Sequence, residues 1–212
     1  MWPESENPFL ITQKNKKGQE HGYQYRFHQN GEKSSVKRFV NGCQTDTSWW
    51  FRDDGAVQSY RPFRNCKKHG KWASFHENGD TASFGFLKDG KQEGLFKQFY
   101  ESGQLKQTVM YRNDKRHGPR VEYLENGTRI DSIIYKDGEI VEEYRYFRNG
   151  KIRIEAKYHS ETDMEITAYD PQGEVSGQIK EGTGTAVIWA ENDDGTYREI
   201  PVTYKDGLEV FE

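Results

Sequence analysis

The sequence predicts an all-β protein, an elongated single-domain stack of antiparallel β-hairpins built from repeats of about 23–24 residues. Three observations carry that expectation. Glycine follows Asn, Asp, Ser or Gln at Gly31, Gly55, Gly79, Gly103, Gly127, Gly150, Gly173 and Gly195, in steps of 24, 24, 24, 24, 23, 23 and 22. A second turn series runs out of phase through Gly18, Gly42, Cys66, Gly90, Asp114, Gly138, Glu161, Gly184 and Gly207, in five steps of 24 and three of 23. Large side chains keep a fixed distance from the first series. Phe27, Phe51, Phe75, Phe99, Tyr123, Tyr146 and Tyr169 stand four residues before it, and Phe39, Phe63, Leu87, Tyr111, Tyr135 and Tyr158 stand eight after it.

Taken in order, residues 9–22 ("FLITQKNKKGQEHG") read as the second half of a repeat, with Gly18 in its turn. Residues 22–158 are the regular hairpins. Their Asn-Gly and Asp-Gly pairs, such as Asn30-Gly31, Asp54-Gly55, Asn78-Gly79 and Asn126-Gly127, predict type I′ turns with both central residues at positive φ. The two ladders of large side chains are expected to stack into one thin continuous core, because a single hairpin is not stable alone. Residues 159–212 are degenerate repeats. "HSETD" lacks the second-turn glycine and Thr203-Tyr204 shifts the aromatic by one, which predicts a bulge or loosened packing. The pairs His21-Gly22, His69-Gly70 and His117-Gly118 recur every 48 residues, as do His28 and His76. These histidines read as slots of a two-repeat unit, too far apart to share a metal.

Composition agrees with a thin core. Hydrophobic residues are 33% and charged residues 31%, too lean for a thick interior, while 14% aromatic content supplies large rings for a shallow one. No apolar run reaches the length of a transmembrane helix. The start "MWPESENPFL" lacks the basic and apolar regions of a secretory signal, so a cytoplasmic location is expected. Cys43 and Cys66 sit near equivalent turns of adjacent repeats, about 10 Å apart at two strands per repeat. They are expected to be free thiols in a reducing compartment.

No catalytic arrangement emerges: there is no G-x-S-x-G elbow, H-E-x-x-H, C-x-x-C or P-loop. "EGTGTA" (181–186) is followed by no helix pattern to supply phosphate-binding amides. The expectation is a non-enzymatic protein with no catalytic residue, no metal and no cofactor. The charges are more informative than the net −3. Asp53, Glu77, Glu101 and Glu125 stand two residues before the first-series glycines, while Arg64, Lys67, Lys68, Lys88, Lys91, Arg112, Lys115, Arg116 and Lys136 flank the second series. One edge of the stack is therefore expected to be acidic and the other basic. Trp49 and Trp50 are strand neighbours, so one ring should face outward and could anchor a partner. The candidate partner-binding residues are Asp53, Glu77, Glu101, Glu125, Trp49 and Trp50.

The segments "HENGDTASFGFLKDGKQEG", "YESGQLKQTVMYRNDKRHG" and "YLENGTRIDSIIYKDGE" resemble the MORN repeat in its bacterial variant form, roughly aromatic-x-x-Asn-Gly followed by Tyr-Lys-Asp-Gly-Lys-x-x-Gly. The resemblance runs from Phe9 to Phe211 and is strongest over 22–158. The recurring Tyr-x-Gly-x-Trp of the better-known eukaryotic form is absent. The variant family includes YwqK-type antitoxins and immunity-like proteins. The resemblance therefore implies a protein that neutralises a cognate toxin or secreted effector by binding it, with no nucleic acid contact. A MORN scaffold whose basic edge meets membrane lipid or another protein is the alternative.

Overall fold

A computed structural model describes residues 10–210; Phe9 and Phe211, the ends of the repeat pattern, lie outside them. The described residues form nineteen strands and no helix. They fall into two compact units: Met1–Gly103 with Tyr111–Asp114, and Gln104–Met110 with Lys115–Glu212.

Unit 1 holds β1 (Leu10–Lys14), β2 (Glu20–Phe27), β3 (Lys33–Val40), β4 (Cys43–Phe51), β5 (Val57–Arg64), β6 (Lys67–Lys68), β7 (Gly70–Phe75), β8 (Thr81–Lys88) and β9 (Lys91–Phe99). Each strand but β6 pairs antiparallel with the next, and β6 and β7 both pair with β5. β10 (Leu105–Arg112) is divided between the units. Unit 2 continues with β11 (Lys115–Tyr123), β12 (Arg129–Lys136), β13 (Glu139–Tyr146), β14 (Ile152–Tyr158), β15 (Met164–Tyr169), β16 (Val175–Lys180), β17 (Thr183–Glu191), β18 (Tyr197–Lys205) and β19 (Leu208–Val210). From β11 onward each pairs antiparallel with its successor. The all-β hairpin stack is thus as the repeat predicts.

The two turn series cap opposite ends of the hairpins, but their turn types are the reverse of the expectation. Type I′ belongs to the second series: Asp89 and Gly90 take φ of 52° and 96°, and Asn65-Cys66, Asn113-Asp114 and Asp137-Gly138 follow suit. In the first series only the glycine is left-handed. The Gly79 amide donates to the His76 carbonyl at 3.0 Å, closing a type I turn, and His76 N–H donates to Asp80 at 2.8 Å. The Asn or Asp before the glycine stabilises the turn with its side chain. Asn78 Oδ1 accepts the Asp80 amide at 2.9 Å, as Asn30, Asp54, Asn126 and Asn149 do in their own turns. The second-series glycine of the C-terminal part is Gly182, beside Glu181 (φ 51°), and not Gly184, which lies inside β17.

The ladders of large side chains do not share one core. Register runs Tyr25, Val36, Trp49, Tyr60, Ala73, Phe84, Lys97 across β2 to β9 on one face, and Arg26, Ser35, Trp50, Ser59, Ser74, Ser83, Gln98 on the other. Strict alternation then puts Phe75 with the first row and Phe63 with the second. Each ladder covers its own face of the sheet.

The C-terminal repeats are the best packed part of the chain rather than a loosened one. Ile154, Ala156, Met164, Ile166, Ala168, Ile179, Ala186 and Val202 form a buried aliphatic cluster on one face of β14 to β18, with Tyr158, Ile188, Ile200 and Tyr204 against it. One cross-strand row reads Ile154, Ala168, Gly177, Ala186, Val202. Its small residues let the backbones close in, and a Cβ built on Gly177 would lie 2.4 Å from Ala186 Cα. The loss of "HSETD" regularity is confined to a loop closed by the His159 amide on the Asp163 carbonyl, at 2.9 Å.

Cys43 and Cys66 are bonded in a disulfide, with Cα atoms 4.9 Å apart. The expected 10 Å counted two strands between equivalent turns. Cys43 opens β4 and Cys66 lies just past the end of β5, and those two strands are neighbours. Their register, Asp46 opposite Phe63, extends to set residue 43 opposite 66.

Candidate functional site

The candidate interface is built on the first-series turns. In unit 1, every such turn follows the last aromatic of a strand (Phe27, Phe51, Phe75 or Phe99), and at the first three of them the residue after that aromatic reaches into the next repeat. His28 Nε2 meets the Phe51 carbonyl at 2.9 Å, Arg52 Nη2 donates to the Phe75 carbonyl at 2.5 Å, and His76 Nε2 meets the Phe99 carbonyl at 3.1 Å. Asparagines add a second tie. Asn30 Nδ2 donates to the Asp53 carbonyl at 2.6 Å and Asn78 Nδ2 to the Glu101 carbonyl at 3.0 Å. Successive turns are therefore laced together about 23 residues apart in sequence by bonds whose donors come from the repeat itself. His28 and His76 are lacing residues, which their 48-residue spacing foreshadowed. Arg52 makes the equivalent bond in the repeat between them and shows only when residues are aligned at 24.

Onto this fixed backbone the chain mounts carboxylates. Asp53, Glu77 and Glu101 are exposed in unit 1, and Glu125 is exposed in the Leu124–Thr128 turn of unit 2. Among the described residues, the acids paired with arginine are others, Asp46, Glu122, Asp131 and Glu143, while Asp89, Asp137 and Glu165 lie beside histidines. Glu77 and Glu101 line one shallow hollow with Arg52 and His76, and Asp53 lines another with His28 and Asn30.

Trp49 and Trp50 point to opposite faces, as strand neighbours must. Trp49 is 36% exposed and packs on Tyr60 with ring centroids 5.1 Å apart. Trp50 is half-buried in a stack that single-residue reading missed. Lys37 Nζ lies 5.8 Å from its ring, and Arg61 lies 5.9 Å from Trp50 and 5.7 Å from Trp72. Burial, with Arg26 nearby, holds the Lys37 ammonium below its ordinary value. Trp72 then stacks on Phe96 at 6.0 Å, and Phe96 meets Tyr111 edge-on at 6.5 Å.

The second-series end carries the exposed cations Arg64, Lys67, Lys68, Lys88 and Lys91, interrupted by turn acids. His69 and His117 each accept a turn amide on Nδ1, from Asp89 and Asp137, both at 3.3 Å. Glu93 accepts the Asn113 amide at the equivalent place. These histidines are turn caps. Among the described residues no three of His, Cys, Asp and Glu converge in a metal-binding cluster.

Unit 2 buries its own polar clusters. Arg120 makes a bidentate contact with Asp131, at 2.9 and 3.0 Å, and pairs with Glu122. Glu143 takes Arg145 Nε at 2.5 Å and the Tyr158 hydroxyl at 3.1 Å. Burial, with the Glu143 charge beside it, pushes the Tyr158 hydroxyl up to about 12.

Two stretches of the chain, residues 92–113 and 139–160, match the MORN repeat variant. Each covers a strand, a first-series turn and the next strand: β9 to β10, and β13 to β14. No curated protein matches the sequence. Among solved structures, a chain of the Photorhabdus luminescens Tc holotoxin pore with a mutated TccC3 is similar over 97% of this chain, at 9% identity and a TM-score of 0.22. The match spans 14% of that chain's length. The protein is thus an all-β array of antiparallel hairpins in which two repeats carry the MORN variant signature, a class of repeat-based binding scaffold.

Proposed function

We propose that the protein is a non-enzymatic binding scaffold that neutralises a cognate toxin or secreted effector by covering it, with Asp53, Glu77 and Glu101 of unit 1 facing a basic surface on the partner and Glu125 of unit 2 a separate candidate contact. One observation carries the reading. In unit 1 the exposed carboxylates Asp53, Glu77 and Glu101, which form no ion pair among the described residues, sit on turns that are laced to one another. A rigid display loses little entropy on binding, and complementary charge speeds encounter. On this reading the protein works in the cytoplasm beside its toxin. The Cys43–Cys66 disulfide, a bond typical of oxidising compartments, stands against that location, and thiol titration of cytosolic protein decides it.

The test is co-expression with a candidate toxin taken from the neighbouring genes. Joint reversal by Glu77→Lys and Glu101→Lys should abolish protection and slow association while leaving the melting temperature nearly unchanged, since exposed charges contribute under about 1 kcal/mol each. Lys88→Glu with Lys91→Glu should leave protection intact. Protection lost only in the second pair would move the interface to the basic end; protection by both would move it to a sheet face. The exposed cations of that basic end support one second reading, a scaffold on anionic membrane, for which co-sedimentation of the protein with anionic vesicles is the check.

A further inference from the structure

The row Trp49, Tyr60, Ala73, Phe84, Lys97 contains a gap. Residues 49, 73 and 97 occupy the same slot of three successive repeats, spaced by 24. Trp49 fills its place and packs against Tyr60 with its ring tilted by 40°. At the next repeat the slot holds alanine, between two rings on neighbouring strands. The result is a cavity of about 200 Å³, floored by Ala73, walled by Tyr60, Phe75, Phe84 and Phe99, with Lys71 at its rim.

Size and chemistry specify an occupant. Small-molecule sites run to roughly 300–1,000 Å³, so this one holds a single side chain. Its walls are four rings, which fit an aromatic or branched apolar group. Thr81 completes the lining, Lys71 Nζ lies 4.5 Å from the Phe84 ring centroid, and Lys97, outside the lining, is the cross-strand partner of Phe84. Neither lysine belongs to any of the ion pairs of the described residues. Carboxylates beside the apolar group would meet both ammoniums, and lysines there would be repelled. We propose that this cavity is an anchor site for one aromatic or branched apolar side chain of a protein partner, flanked in that partner by acidic residues. The inference rests on the reading of the chain as a protein-binding scaffold. It places the anchor on the face reached from the acidic row, since Phe75 and Phe99 each lie two residues before Glu77 and Glu101.

The test is an amide-shift titration of the isotope-labelled whole chain with acetyl-Glu-Phe-Glu-amide. Saturating shifts at residues 73 and 84 are expected, with a dissociation constant on the order of 0.1–1 mM. Acetyl-Lys-Phe-Lys-amide and acetyl-Glu-Ala-Glu-amide should bind about tenfold more weakly or not at all. Ala73→Trp, which copies the filled repeat, should remove binding. Should that variant not fold, Lys71→Glu with Lys97→Glu decides: the preference should switch to the lysine peptide. Absence of saturable shifts at the cavity, equal binding of the alanine peptide, or an unchanged preference in the double reversal would overturn the proposal. If the cavity fails while the Glu77 and Glu101 reversal still abolishes protection, the acidic row stands without it.

Discussion

Units 1 and 2 are built from the same hairpin, yet they bury different side chains. Unit 1 spreads half-buried rings and cations over both faces of its strands, with few apolar residues buried, Ala73 and Leu87 among them. Unit 2 gathers isoleucine, alanine, methionine and valine on one face of β14 to β18 and encloses them. The regular repeats of unit 1 are the open ones, and the degenerate C-terminal repeats of unit 2 are the closely packed ones. Sequence regularity here tracks the turn and its lacing. Burial tracks whether small residues let backbones approach. A one-faced aliphatic cluster removes apolar area from water at roughly 25 cal/mol per Å². Rings lying along an open sheet keep part of their area wet and available to a partner.

The sharpest way to break this contrast is to obstruct the close approach in unit 2. Gly177→Val places side-chain carbon against the Ala186 backbone, where even a Cβ would be 2.4 Å from Cα. The expected cost is above about 3 kcal/mol, because backbone must move. In thermal unfolding that is a fall of roughly 10 °C. A fall smaller than that of Gly127→Val would refute the packing claim.

In unit 1 the corresponding lever is covalent. Cys43→Ser with Cys66→Ser removes a link spanning 23 residues, for which loop entropy sets a cost of up to about 3 kcal/mol. Limited proteolysis should show new cleavage near the β3–β4 and β5–β6 turns and none in β14 to β18. Cleavage spread over both units would mean that they do not differ in the way burial indicates.

A smaller effect separates turn conformation from packing. Gly127 has φ of 84° and open space around it, so Gly127→Val should cost just over about 1 kcal/mol from backbone strain alone. Glu161→Val, in the loop that lacks the glycine, should cost a few tenths of a kcal/mol. Equal melting shifts would overturn the turn assignment.

A further effect concerns pH. Tyr158 titrates near 12 in the fold, above its ordinary value of 10, because burial and Glu143 disfavour the phenolate. The unfolded chain releases this proton first. The stability that Tyr158 contributes is therefore whole below pH 10 and is lost as pH rises from 10 to 12. Tyr158→Phe should flatten the stability profile over that window; an unchanged slope would remove Tyr158 from the core's titration.

The hairpin stack, its period and the exposure of Asp53, Glu77, Glu101 and Glu125 were legible in the sequence, because turns repeat and strands alternate. The His28 and His76 slots were legible as positions, though not as hydrogen-bond donors to the next repeat. Three features resisted reading for physical reasons. Asn-Gly suits both a type I′ turn and a type I turn with a left-handed glycine, and the choice depends on the register of the flanking strands. Cys43 and Cys66 were separated by counting repeats, when contact at a turn end is decided by which strands are neighbours. The aliphatic core of unit 2 was hidden because Gly177, Gly184, Ala168 and Ala186 look like a weakened repeat, whereas in the fold their smallness lets the strands close.

The most direct test is hydrogen exchange of the free chain, resolved by strand. Enclosed strands open only with global unfolding, while half-covered strands also open locally. The slowest amides should lie in β15, β16 and β17, exchanging at least about tenfold more slowly than those of β4 to β8. Slowest exchange in β4 to β8, or one uniform rate across both units, would contradict the division of the molecule into a closely packed half and an open half.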